Sequence, residues 1–412
     1  MNFELFVSRR LISEKDFKSS ISAPIIKIAT AAISVGVIMM LVAFGTGIGL
    51  QEKIRDKIAA FNGHIQIESF SSRNQQVSQS PIPLKQDFYP VFNNIANIEH
   101  IQAVATKYGI IRTETDFEGI LVKGVGTDYR WDYFEEFLVK GKIPDVQPEN
   151  STEILLSQSV VNKLALQLND KVVVYFLNED NTSKPPKLIA FTLVGIYNSG
   201  FKEFDDQFLI ADLQQIQRIS KWDADQVGDF ELFVTDFEDI SYTTRLVYKE
   251  IGSFLNASSI IEQYPSIFEW LAMFDMNIAL IIGIMILVAG INMITALLVL
   301  ILERTQMIGI LKSLGTSDWS IRKIFLYNAS YIILRGLFWG NLIGLGVLFS
   351  QKYLKLIPLN PETYYVTEAP ISIQLYYILG VNLGTLILCL LMLIIPSVII
   401  SKITPIKAMQ FD

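Results

Sequence analysis

The chain has 412 residues, 51% of them hydrophobic and 18% charged, with a formal net charge of −7 and a mean hydropathy of +0.37. Soluble domains rarely combine so large an apolar share with so few charges, and the acidic balance argues against a nucleic-acid partner. One cysteine, Cys389, leaves no disulfide framework, and the only histidines, His64 and His100, lack companions at metal-ligand spacing, so each is expected in a surface or turn role.

Residues 1–24 place Phe3, Phe6, Val7, Arg10 and Leu11 at helical spacing. That suits a helix lying flat in a membrane interface; a frayed tail is the other reading. Ile28 to Gln51 then carries no charged side chain. The run is longer than the roughly 7–15 apolar residues of a cleavable signal, and about 20 apolar residues cross the hydrocarbon. It predicts an uncleaved transmembrane helix over 25–51.

Residues 52–270 differ. Charges occur throughout, and strand patterns appear in HIQIESF (64–70), GILVKGV (119–125), EILLS (153–157), KVVVYFL (171–177), LIAFTLVGIY (188–197) and ELFVTD (231–236). Helical patterns cover 157–166, with Ser157 as a cap, and 242–254. The mixture predicts an α+β domain large enough to bury its own core. Asn178 to Lys187 is a polar loop between two strands, held extended by Pro185 and Pro186. An ordinary long hairpin connection is one reading of it.

Three further spans follow: 271–302, with a charge-free run from Met276; 324–351, which must tolerate Arg335; and 371–401, with Pro396 near its end. Between them lie a loop over 303–323, a short loop over 352–370 and a tail over 402–412. The predicted fold class is therefore a membrane protein: four transmembrane α-helices, one plus three, with a large α+β extracytoplasmic domain inserted between helices 1 and 2.

Orientation follows the lysines and arginines beside the spans. Arg9, Arg10, Lys15, Lys18 and Lys27 precede the first; Arg304, Lys312, Arg322 and Lys323 occupy the 303–323 loop; Lys402 and Lys407 lie in the tail. The opposite side has Lys352 and Lys355 in its short loop, and Lys53, Arg55 and Lys57 beside the first span, mixed with Glu52 and Asp56. The bias puts both termini in the cytoplasm and the large domain outside.

No catalytic or metal-binding constellation is visible: there is no GxxxxGK[ST] loop, no GxSxG elbow, no HExxH and no triad. Transport, sensing or scaffolding remain, with any energy source on another subunit. Gly336, Gly340 and Gly344 fall at i, i+4 and i+8, which allows close approach of a neighbouring helix. Arg335 beside them costs about 2.5–3.5 kcal/mol at mid-bilayer unless it faces the bundle or snorkels. In 303–315, Met307, Ile310, Leu311 and Leu314 form an apolar stripe and Gly315 a stop, with Ser317 or Asp318 opening the next helix. Such a short amphipathic helix needs a membrane surface or a protein groove for its apolar face.

ERTQMIGILKSLG (303–315) resembles the loop after the second span in the FtsX-like/MacB-type ABC transporter permeases. SRRLI (8–12), GLQEKIRDKIAAFNGHIQI (49–67), IPLNPETYYV (357–366) and ITPIKAM (403–409) look like the lipoprotein-releasing (Lol) branch of that family.

The resemblance covers essentially the whole chain and implies a pair of permeases, the same chain or two different ones, above two copies of a separate ABC ATPase. ATP and Mg would sit on the ATPase and no cofactor on this chain, which would not be an enzyme. The resemblance makes Glu303, Arg304, Met307, Gly309, Ile310, Leu311, Leu314 and Gly315 the coupling helix that docks into the ATPase. It implies an inner-membrane protein in contact with membrane lipids, with a MacB-like core in the periplasm. A lipoprotein substrate would enter between the first and second spans of the two permeases and pass to a carrier chaperone. By position, the chaperone contact maps to Lys184, Pro185 and Pro186. A MacB-like exporter of peptides or drugs, an FtsX-like regulator of cell-wall hydrolases and a sensor without an ATPase are the competing readings.

Overall fold

The computed structural model describes residues 3–13, 22–72, 77–113, 116–146, 150–177 and 185–402. Two compact units emerge, one from residues 1–51, 271–358 and 368–412, the other from 52–270 and 359–367.

The first unit is helical. Among the described residues, four helices are long and apolar enough to cross a membrane: Pro24–Asn62, Pro265–Glu303, Asp318–Leu354 and Leu375–Ser401. The first continues past Gln51, where the charge-free run ends, to Asn62. The fourth contains Pro396, which has no N–H to donate, and its regular helix ends at Ser397 before a short turn of helix over Ile399–Lys402. An N-terminal helix, Phe3–Ser13, brings Glu4 within 3.8 Å of Lys323.

The bundle core is made of Ile33, Val37 and Leu41 from the first span, Ala289, Met293 and Leu297 from the second, Ile333 and Leu337 from the third, and Cys389 and Leu393 from the fourth. The three glycines of the third span are buried against the first. A Cβ at Gly336 would lie 2.7 Å from Ile33 Cγ2, one at Gly340 2.7 Å from Val37 Cβ, and one at Gly344 3.1 Å from Leu41 Cδ1. Close approach also brings Ser34 Oγ to the Gly336 carbonyl at 3.0 Å. Val37 Cβ is fixed to its own backbone and cannot swing aside. Gly340→Ala is therefore expected to force the helices apart, at a cost of about 1–3 kcal/mol. Gly346→Ala, where nothing lies within 4 Å, should leave thermal unfolding in detergent unchanged. Equal melting of the two variants would show that the glycines do not set the helix separation.

A second polar contact went unnoticed in the sequence. Asn341 and Asn382 exchange amide hydrogen bonds, at 2.6 and 3.0 Å, between the third and fourth spans. Such a pair satisfies groups that hydrocarbon cannot. Arg335 is exposed on the outer side of this unit and has no ion-pair partner among the described residues.

The second unit is built on a ten-stranded sheet. Its strands, with two short outliers, are β1 (Ile65–Ser69), β2 (Ile82–Pro83), β3 (Ile98–Arg112), β4 (Phe117–Val125), β5 (Leu138–Gly141), β6 (Glu153–Ser157), β7 (Lys171–Phe176), β8 (Lys187–Tyr197), β9 (Phe208–Asp212), β10 (Gln226–Val227), β11 (Asp229–Val234) and β12 (Leu255–Ser259). The order is β12-β1-β11-β3-β4-β9-β6-β8-β5, with β7 joined to β3 and β8. β4–β9 and β6–β8 run parallel, whereas β3–β4 and β7–β8 are antiparallel hairpins. β2 and β10 form a separate two-stranded ladder.

All six predicted strand stretches contain strands. Ser157 caps the Gln158–Lys163 helix by accepting from the Val160 N–H. The predicted 242–254 helix spans Ile240–Glu250, and the chain then turns into β12.

The 359–367 segment, from the loop between the last two spans, belongs to this unit. It closes on itself through Leu359 N–H to the Thr367 carbonyl at 2.9 Å. Lys57 Nζ holds the Tyr365 carbonyl at 2.9 Å, and the Tyr365 ring stacks on Phe201 at 4.5 Å.

Candidate functional site

The 303–315 segment folds as a short helix, Thr305–Ser313, between two membrane-length helices. Thr305 Oγ1 donates to the Leu302 carbonyl at 2.6 Å. Gly315 stops the helix with φ +87°, a conformation that costs a residue with a side chain. Ser317 then caps the third span by accepting from the Ser320 N–H.

The apolar stripe divides. Met307 and Leu311 pack against the bundle core beside buried Ile308, and Gly309 is buried too. Ile310 and Leu314 point outward, 48% and 77% exposed. Spacing alone assigned all four to one face; the bundle takes two of them because the helix lies against it. Lys312 anchors the segment by donating to the Ile400 carbonyl at 2.8 Å and pairing with Asp318 at 2.9 Å. Glu303 and Arg304 flank the helix and take part in other contacts. The exposed residues of the segment are thus Glu303, Gln306, Ile310, Ser313, Leu314 and Gly315.

Inside the second unit a buried charge cluster meets the end of the Ser22–Asn62 helix. Lys123 of β4 is 0% exposed. Its Nζ donates to the Phe61 carbonyl at 2.7 Å and to both carboxylate oxygens of Glu231, in β11, at 2.6 and 2.8 Å. Tyr129 Oη donates to the Ala60 carbonyl at 3.1 Å, and Gln102 of β3 donates to Glu231 at 2.8 Å. The last carbonyls of a helix lack intrahelical donors and carry its negative end. An ammonium there satisfies both needs. Burial pushes the Lys123 ammonium down and the Glu231 carboxyl up, each opposed by the charge of the other. Asp229 nearby is pushed up to about 7 by burial, with Glu68 and Glu231 adding to the effect. This joint escaped the sequence reading, though a signal was present: a lysine and a glutamate, each enclosed by apolar residues within a strand, in GILVKGV and ELFVTD.

Residues 28–241 match the MacB-like periplasmic core domain family, and residues 279–405 match the FtsX-like permease C-terminal family. The chain is an FtsX-like, MacB-type ABC transporter permease. Among curated relatives, the lipoprotein-releasing system transmembrane protein LolC of Neisseria meningitidis serogroup B is 20% identical, with 100% of each chain covered. LolC of Xylella fastidiosa strain Temecula1 is 21% identical, with 92% of each covered. Among solved structures, the periplasmic region of MacB from Actinobacillus actinomycetemcomitans aligns at 14% identity and a TM-score of 0.33, over 49% of this chain and 91% of that one.

Elsewhere in the permease, Lys184 lies outside the described residues, while Pro185 and Pro186 lead into β8. Beside them a cavity of about 440 Å³ is lined by Ile110, Arg112, Phe117, Tyr175, Leu177 and Pro186. Phe117 and Leu177 are largely exposed there, so an apolar rim adjoins the loop.

His64 takes the turn role rather than the surface one: Gly63 turns the chain from the helix end into β1, and His64 is buried in that bend. Its Nδ1 accepts from the Val234 N–H at 3.0 Å, between the rings of Phe233 and Phe237. Burial, with Arg55 and Arg130 adding to it, pushes its pKa down to about 4. His100 is half-buried with Nε2 2.8 Å from the Asp128 carbonyl. Among the described residues, no cluster of three or more His, Cys, Asp or Glu is arranged to hold a metal.

Proposed function

We propose that this permease is the membrane subunit of an ATP-driven complex that extracts lipoproteins from the inner membrane and passes them to a periplasmic carrier chaperone. The lipoprotein-releasing relatives, matched over 92–100% of their length, support that substrate class. The coupling mechanism rests on one observation: a short helix between two spans leaves Ile310 and Leu314 exposed among the described residues.

In this reading two copies of a separate ABC ATPase bind ATP and Mg beneath a pair of permeases, identical or different. Closure of the ATPases pushes on Thr305–Ser313 and the bundle relays the movement. The charge bias of the flanking segments puts the termini in the cytoplasm and the MacB-like domain in the periplasm. The lipoprotein enters between the first and second spans of the two permeases. The loop ending in Lys184, Pro185 and Pro186, with its apolar rim, is the chaperone contact.

Depleting the permease in its own cells should leave mature lipoproteins in the inner membrane, measured by fractionation. Correct sorting under depletion would refute lipoprotein release and leave a MacB-like exporter or an FtsX-like regulator of cell-wall hydrolases.

A further inference from the structure

The 357–366 sequence has no role in the mechanism above, yet the fold holds one of its residues in a costly conformation. Tyr365 has φ +57°, a region that residues with side chains seldom occupy, and such outliers persist where the surroundings enforce them. Lys57 Nζ fixes its carbonyl, and Phe201 covers one face of its ring, with 18° between the ring planes. Trp270 stands against the same ring at 5.8 Å and 78°, so the two aromatics meet as perpendicular walls.

These walls belong to a pocket of about 380 Å³, whose lining also includes Tyr264, Ile267, Thr363 and Glu203. Three aromatic rings and one carboxylate therefore surround a single space. Aromatic faces attract cations, and rings set at right angles around a cavity form the cage that receives an alkylammonium group. Glu203 supplies the full negative charge. It is exposed and makes no ion pair among the described residues. Its field reaches both tyrosine hydroxyls: after burial itself, Glu203 is among the causes that raise their pKa. Lys57 is turned to the Tyr365 carbonyl, and its charge also acts on Asp205.

The position identifies the source of the ammonium. Pro265, Ile267 and Trp270 are in the opening turns of the second membrane helix. Its charge-free run begins at Met276, six residues beyond Trp270, or roughly 9 Å along the axis. That distance matches the headgroup layer outside the hydrocarbon, where tryptophan and tyrosine concentrate.

We propose that this pocket binds the ammonium of a zwitterionic phospholipid headgroup, with phosphatidylethanolamine as the ligand class. The site is independent of the transport reading, because it needs neither an ATPase nor a lipoprotein.

The test is lipid retention by the full chain in detergent, read by native mass spectrometry after equilibration with equal amounts of phosphatidylethanolamine and phosphatidylglycerol. The wild-type chain should retain the ethanolamine lipid about fivefold over the glycerol lipid. Glu203→Gln, at an exposed position that leaves folding intact, should remove most of that preference. Trp270→Leu should abolish it, and Trp270→Phe should keep part of it. Equal retention of the two lipids by the wild-type chain would overturn the proposal. So would an unchanged preference in Glu203→Gln. Displacement of the bound lipid by a lysine-rich peptide would reassign the ammonium to a polypeptide and overturn the lipid assignment.

Discussion

Replacing Lys123 with methionine is expected to destabilise the detergent-solubilised chain by about 3–5 kcal/mol, the cost of leaving one member of a buried ion pair alone. Methionine keeps the length of the side chain and removes only the ammonium. Glu231, buried and bonded at 2.6 and 2.8 Å by that ammonium, would keep only the single donor of Gln102. The Phe61 carbonyl would lose the donor that ends its helix. Contrast Lys142 and Glu153, 2.8 Å apart but with Lys142 61% exposed. Lys142→Met there should cost less than about 1 kcal/mol, as exposed pairs do. The double change Lys123→Met with Glu231→Leu should recover part of the loss, since removing both charges abolishes the unpaired one. Denaturant unfolding followed by tryptophan fluorescence reads all of these. A loss below 1 kcal/mol for Lys123→Met would mean that water reaches the cluster and that it does not fix the helix end.

The same residue shows where sequence reading stops. The four spans were visible because hydrocarbon imposes a length on any charge-free run, and the run alone carries that information. Ser157 was visible as a cap because capping is local, a side chain meeting a backbone N–H three residues on. β3 was missed although it is the longest strand described. It is buried across Ile101–Thr106 on both faces and includes Gln102 and Thr106, so it shows neither alternation nor an unbroken apolar run. Its polar residues are tolerated because partners from distant segments satisfy them, Glu231 for Gln102 and Ser78 for Thr106. The burial of Lys123 is invisible in the sequence for the same reason. The partners that make its burial tolerable lie 62 and 108 positions away.

The 303–315 helix was legible as a helix but not in its division of labour, because Met307, Ile310, Leu311 and Leu314 are all apolar and nothing local separates the two that meet the bundle from the two that do not. That division sets the second large effect. Leu314→Glu is expected to weaken ATPase association at least a hundredfold while leaving the permease inserted and folded. Leu314 is 77% exposed and Ile310 48%, so a charge at Leu314 stays in water in the permease alone. At a buried interface it would remove a leucine side chain worth about 1.5–3 kcal/mol and put an unpaired carboxylate in its place. Leu314→Ala, which removes only the apolar contact, should weaken association about tenfold. Leu311→Glu is a different experiment. Leu311 packs on the bundle core with Met307, so that variant should melt earlier in detergent whether or not an ATPase is present. Co-purification of the ATPase with each variant, beside melting of the permease alone, separates the two effects. Undiminished co-purification by a folded Leu314→Glu permease would remove this helix from the ATPase contact.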